Sequence, residues 1–213
     1  MKKILATTAI MFALATPAFA TNYTFTDVGT AYSDNAGIVN VPGYSAPWTT
    51  PIIFTGPAGS ITSFCDDMEH DVYVEGGQNL AYHTGPVTVD GLGHPLSEAT
   101  SNIMGQITTI GLNDYRHGNE NAAIAAQAAV WGEEYHINVT SSNPIIESYI
   151  TSFYGIHDNG HGWANGLINN NGVQNQILGG SVPEIPTWMM FLTGIIALTW
   201  VALPRKKSYQ VTL

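Results

Sequence analysis

Sixteen consecutive uncharged residues, Trp188 to Leu203, run into Pro204-Arg205-Lys206-Lys207. A segment this apolar has to leave water, and as a helix it spans about 24 Å at roughly 1.5 Å per residue. With some thinning of the bilayer, or snorkelling of the lysines, that length crosses a hydrocarbon core. The basic cluster is expected to stay cytoplasmic. The other end carries a matching constraint. Lys2 and Lys3 precede an apolar run from Ile4 to Ala15, and Ala18-Phe19-Ala20 offers small residues where a signal peptidase cuts. That run has the length of a signal peptide's apolar segment, short of a spanning helix. The expectation is a signal helix over 1–20, cut after Ala20, and a transmembrane helix over 188–203. The part left to fold in water is 21–181, enough for one domain.

The residues before the second apolar segment have an order of their own. Val182-Pro183-Glu184-Ile185-Pro186-Thr187-Trp188 is followed by the apolar stretch and then by Arg205-Lys206-Lys207. This three-part order resembles the PEP-CTERM sorting signal, in which the Pro-Glu-Ile-Pro spacing also occurs. The tail Ser208 to Leu213 departs from it, because the family usually stops at the basic cluster. The resemblance implies a sorting signal over 182–213 and an exosortase-type enzyme that processes the chain near Val182, Pro183, Glu184 and Pro186. It also implies an exported protein, anchored in a bacterial inner membrane by its C-terminal helix and then moved to the cell surface or extracellular matrix.

Charge narrows the partners of the domain. All acidic residues but Glu184 lie in 21–181, where Arg116 is the one Lys or Arg. Such a surface repels nucleic acid and anionic lipid and suits cations, neutral glycans or basic partners. Cys65 is the only cysteine, so an internal disulfide is excluded, and a lone thiol outside the cytoplasm calls for an explanation. The plainest is a buried, inert side chain.

Residues 22–92 read as strands and turns. Tyr23-Thr24-Phe25-Thr26, Ile52-Ile53-Phe54, Ile61 to Cys65, Val72-Tyr73-Val74 and Val87-Thr88-Val89 are β-prone, and Gly56-Pro57, Gly76-Gly77 and Asp90-Gly91 punctuate them. Residues 97–154 turn helical. Ser97 caps a helix with Ile103, Ile107 and Ile110 on one face and Gly111 as its stop. Asn119 caps an alanine-rich helix to about Glu134, and Asn143-Pro144 opens a third with Ile146, Tyr149, Ile150 and Phe153 together, ending at Gly155. A last strand is expected over Val173 to Leu178. The expected class is α+β: a β-sandwich or barrel with a helical insertion, flanked by the two terminal helices.

Chemistry concentrates on the second helix. Gln127 lies three residues after Ile124 and four before Trp131, which puts all three on one apolar face. A buried amide without partners costs on the order of 1–3 kcal/mol, so something has to satisfy or consume it. Cys65 closes a β-prone run and is a candidate. A thiolate held against the Gln127 side-chain carbonyl can attack it and expel ammonia, leaving an internal thioester. A dry pocket slows hydrolysis and keeps the groups at reactive distance.

Phe64-Cys65 and the later Ala126-Gln127-Ala128-Ala129-Val130-Trp131 resemble the paired motifs of bacterial surface thioester domains: aromatic-Cys, then hydrophobic-Gln-x-x-hydrophobic-Trp. The resemblance covers about 60–135. It implies Cys65 and Gln127 as the bonded pair, with Phe64 and Trp131 lining the pocket. The activity it implies is covalent adhesion: an amine on a surface or matrix target opens the thioester and becomes joined to Gln127. This is single-turnover acyl transfer, not an enzyme's cycle, and needs no cofactor or metal. Asp66 departs from the better-known members, which carry an apolar residue there. The domain also lacks lysine, the very nucleophile that would cross-link neighbouring copies; Lys-poor composition also accompanies acidic exported proteins.

Other clusters are weaker. Were the strand to continue past Cys65, then Cys65, Asp67, Glu69 and Asp71 would share one face, an oxygen-rich set able to hold calcium. No EF-hand spacing is present and a solvated acidic loop is the expectation. Asp66 or His70 is a candidate proton acceptor for the thioester. His157-Asp158-Asn159-Gly160-His161 reads as a turn before a metal site, and the Asn138-Val139-Thr140 sequon is discounted in a bacterial export context. Two alternatives stand beside the covalent adhesin: a non-covalent matrix or glycan-binding protein with a buried Cys65, and a cysteine hydrolase, for which no protease or nucleophile-elbow pattern surrounds Cys65.

Overall fold

The β-prone runs Tyr23–Thr26, Ile52–Phe54 and Ile61–Cys65 all fall in strands of one barrel. The computed structural model describes residues 21–32, 38–45, 47, 49–70, 76–169 and 173–181. The expected signal and transmembrane helices, the 182–186 motif and Val72–Val74 lie outside them. Among the described residues no helix is long and apolar enough to cross a membrane.

Strands β1 (Asn22–Thr30), β3 (Ile52–Gly56), β4 (Gly59–Cys65), β5 (Gly76–Pro86), β7 (Ala164–Ile168) and β8 (Gln176–Ser181) close in the order β1-β3-β4-β8-β7-β5. Every neighbouring pair is antiparallel. Two short strands, β2 (Val39–Asn40) and β6 (Thr140–Ser141), pair separately. Of the two expected architectures the barrel is the one present. Its aromatic core is Phe25, Phe54 and Tyr82, all buried, with ring centroids 5.1 to 5.9 Å apart. Each contributes about 1.5–3 kcal/mol by burial.

Three helices enter between β5 and β7: α1 (Glu98–Arg116), α2 (Glu120–Glu134) and α3 (Pro144–Phe153). Their starts are where the capping residues put them. The side chains of Ser97, Asn119 and Asn143 accept from the backbone N–H of Thr100, Ala122 and Ile145, and Pro144 occupies the first turn of α3. Helix α1 packs on β8, β7 and β4, α2 on α1 and α3.

Several expectations are corrected. Gly111 does not stop α1, which continues to Arg116. The glycine is there for closeness: a Cβ on it would stand 2.3 Å from Ala126 Cβ and 2.7 Å from Phe64 Cε2. Ile110 turns to solvent. Gly76-Gly77 opens β5 instead of marking a turn, and Val87–Val89 is a loop with one bridge from Val89 to Pro95. The strand at the end starts at Gln176 rather than Val173 and is preceded by β7, which has no alternation to announce it. Helix α2 has no single apolar face. Every residue from Ala122 to Gly132 is buried, as in a helix enclosed on all sides.

Candidate functional site

Strand β4 ends at Cys65, and the end of the strand explains the site. In an antiparallel ladder alternate residues turn their N–H and C=O to the same neighbour. Ser63 is the last β4 residue with a partner on β3, Ile52, while Phe64 and Cys65 lie opposite Ile177 and Gln176 of β8. Cys65 therefore needs a further rung on the β3 side after β3 has run out. The Gln127 side chain supplies it. Cys65 N–H donates to Gln127 Oε1 at 2.8 Å, and Gln127 Nε2 donates to Cys65 O at 2.6 Å. Gln127 is fully buried and Cys65 is 3% exposed. The glutamine expected to meet Cys65 thus grips that residue's own peptide.

Phe64 is also fully buried, with its ring against Gly111 of α1, where Ala126 of α2 also packs. The Cys65 thiol donates to the Asp67 carbonyl at 2.8 Å, and the same oxygen receives Gln174 Nε2 at 2.6 Å. Burial pushes the thiol pKa well up, and the nearby Asp66 carboxyl pushes it further. The neutral thiol is the resting form, so its nucleophilicity depends on a base.

The strand does not continue past Cys65, so Asp67 and Glu69 do not share a strand face with it; Asp71 lies outside the described residues. Nor are Asp66 and Asp67 solvated: both are 2% exposed. The Asp67 carboxylate ties the loop together, accepting from Glu69 N–H at 2.8 Å, His70 N–H at 3.1 Å and facing His70 Nδ1 at 2.6 Å. His70 is accordingly held by Asp67, with much of its ring in water. Asp66 differs. Its Oδ1 has no hydrogen-bond partner, and burial followed by the neighbouring Asp67 raises its pKa well above the carboxylate range. Glu69 bonds Tyr44 OH at the loop's outer edge.

Trp131 is buried on α2 with its indole Nε1 unpartnered. One turn on, Glu134 is buried too. Its Oε1 accepts from Gly91 N–H at 3.2 Å, and its Oε2 has no partner. Its pKa is well raised, by burial first and the Asp66 charge second. Tyr135 OH accepts from Met68 N–H at 3.1 Å. The loop carrying Gly91 closes over these groups so tightly that a Cβ there would stand 2.2 Å from Asp67 Oδ1 and 2.5 Å from Tyr135 OH.

The structure brings Phe64, Cys65, Asp66, Gln127 and Trp131 into one buried region and keeps His70 at its edge. Glu134, Gln174 and Gly91 belong to the site without having been expected there. Glu134 was within reach, since it continues the Gln127, Trp131 series at the next helical offset. Gln174 and Gly91 arrive through strand pairing and a loop, for which no local pattern exists. Asn159, Gly160 and His161 form an exposed turn in which Gly160 N–H and His161 N–H bond the side chains of Asp158 and Asn159. Comparison with protein-family models, curated proteins and solved structures finds no match for this chain. Fold and site define it on their own terms: an α+β domain with a closed six-stranded antiparallel barrel and three helices, in which Gln127 of the second helix meets Cys65 at the end of β4.

Proposed function

We propose that this is an exported surface or matrix protein that forms an internal thioester between Cys65 and Gln127 and spends it once, on an amine-bearing target. The observation that carries the proposal is the two-bond grip of the Gln127 amide on the Cys65 peptide in a fully buried setting. It holds the amide carbonyl against the residue whose sulfur has to reach it, and such confinement accelerates an otherwise unreactive pair. The Cys65 N–H that donates to Oε1 is also a donor aimed at the oxygen on which charge develops during attack.

The steps balance. Cys65 gives up its S–H proton, sulfur bonds to Gln127 Cδ, the Cδ–Nε2 bond breaks, and the nitrogen leaves as ammonia with one added proton. An amine then attacks Cδ, the Cδ–S bond breaks, an amide remains at Gln127, and Cys65 recovers a thiol proton from the amine. Nothing in this sequence needs a cofactor. The absence of lysine from 21–181 fits a domain that carries an electrophile of this kind.

Export, processing by an exosortase-type enzyme near Pro183-Glu184-Ile185-Pro186 and inner-membrane anchoring by 188–203 rest on the sequence alone. They place the amine on a cell surface or in the matrix outside it.

One observation favours a second reading. The thiol bonds Asp67 O, and both Gln127 amide atoms are satisfied. On that reading Gln127 is a structural strut completing the β4 ladder, and the domain binds matrix or glycan without covalent chemistry. Methylamine separates the two. A thioester takes up one methylamine at Gln127 and exposes Cys65 to alkylation in step with uptake. A strut takes up none, and the thiol reacts, if at all, independently of amine.

A further inference from the structure

Two glutamine side chains finish the end of β4, one on each side. On the β3 side Gln127 bonds the Cys65 peptide. On the β8 side, Phe64 lies opposite Ile177 and Cys65 opposite Gln176, and this register runs on past the strand. Asp66 N–H donates to Asn175 O at 3.4 Å, and one position further Gln174 comes opposite Asp67. There a side chain takes over from the backbone: Gln174 Nε2 donates to Asp67 O at 2.6 Å. A carbonyl oxygen only accepts, so the Gln174 atom that meets it is the nitrogen. Gln174 is itself held from behind. Its Oε1 accepts from Gln176 Nε2 at 3.4 Å, and Gln176 Oε1 accepts from Ser63 Oγ at 3.0 Å. Gln174 O accepts from Tyr82 OH at 2.9 Å.

Asp67 O is shared between two donors. It accepts the Cys65 thiol at 2.8 Å as well as the Gln174 amide, one for each of its two lone pairs. Asp67 is 2% exposed, so water is a poor substitute for either. The two donors differ in permanence. Closure joins Cys65 Sγ to Gln127 Cδ, breaks the Cδ–Nε2 bond and sends the thiol proton out with the nitrogen as ammonia. A thioester sulfur has no proton to donate, and the Gln174 amide is what keeps the oxygen bonded.

We propose that Gln174 is a positioning residue of the Cys65–Gln127 pair: it is the standing donor to the Asp67 carbonyl, holding that oxygen while the sulfur is acylated and keeping it placed to receive the S–H when an amine opens the thioester. The inference rests on the thioester assignment above. Its consequence is a bias toward the closed, thioester form. Without the Gln174 amide, the opened protein still satisfies Asp67 O through the thiol. The closed protein leaves the same oxygen orphaned in a buried position, which is the costly case. A plain strut between β8 and the segment after β4 would matter equally to both forms.

The test is Gln174→Met, which keeps the length of the side chain and removes the donor. Wild type and variant are each unfolded by heat in the closed form and after opening with methylamine, with intact mass reporting which form is present. The variant is expected to lose about 2–10 °C more in the closed form than in the opened form. Where the variant yields no closed form, Cys65→Ala, which also lacks the S–H, stands in for it in the same comparison. Should Gln174→Met misfold, Gln174→Glu is read in its place at neutral pH, where the ionised side chain keeps the shape without the donor, and the same difference is expected. Equal losses in the two forms overturn the role of Gln174 and leave the thioester standing. A wild-type protein that has lost no ammonia overturns the thioester, and this inference with it.

Discussion

Removing the Gln127 side chain tests the rung it makes with Cys65, apart from any covalent chemistry. The perturbation is Gln127→Ala in a Cys65→Ala background, where no thioester forms but the residue-65 N–H and C=O remain. Both backbone groups lose their partner in a position without solvent contact. Each orphaned group costs about 1–3 kcal/mol, and the lost side-chain methylene about 0.8 kcal/mol. A water entering the gap recovers part of this. The expected loss is roughly 3–5 kcal/mol, a large share of the 5–15 kcal/mol typical of a domain. Urea unfolding measures it as a lower midpoint with an unchanged slope. Gln127→Glu keeps one acceptor and, when protonated, one donor, and is expected to lose less at acid pH than at neutral pH. A Gln127→Ala change below about 1 kcal/mol refutes the rung, because two unsatisfied buried backbone groups cannot be that cheap.

Gly111→Ala is expected to destabilise the protein by about 1–3 kcal/mol, outweighing the roughly 1 kcal/mol of added helix propensity, since its Cβ would collide with Ala126 and Phe64; thermal unfolding reads the sign. Stability is expected to be greatest in mild acid and to decline as pH rises. Asp66 and Glu134 hold their protons more tightly folded than at their ordinary values of 3.8 and 4.5, so the folded form binds more protons above those values and stability is lost as pH climbs through the folded pKa. Denaturant midpoints across pH check this, and Glu134→Gln is expected to flatten the decline. Met68→Lys places an amine beside the site, at the residue whose N–H meets Tyr135 OH. Covalent self-linked species on denaturing gels are expected from it and are expected to vanish with Cys65→Ala.

How far the sequence foretold this arrangement depends on the kind of signal each part carries. Caps are local chemistry, and Ser97, Asn119 and Asn143 mark their helices correctly. Strands β1, β3 and β4 show in short β-prone runs, whereas β7, Ala164–Ile168, includes Gly166 opposite Ile177 and has no alternation to read. Gly111 misleads because glycine ends helices and also lets them touch, and only the neighbour on α2 tells which. The meeting of Cys65 with Gln127 is legible as a pair of motifs. The way they meet, amide to peptide at the end of a ladder, depends on where β3 stops, which no pattern around either residue encodes. The burial of Asp66 and Asp67 was hidden similarly: a run of acids reads as a wet loop until Gly91 and α2 close over it.

The most direct measurement is the intact mass of the purified protein under denaturing conditions, set against its Cys65→Ala variant. The account predicts a wild-type mass one ammonia below that expected from its sequence, with the variant at full mass. A wild-type protein at full mass, its Cys65 freely alkylated once unfolded, contradicts it.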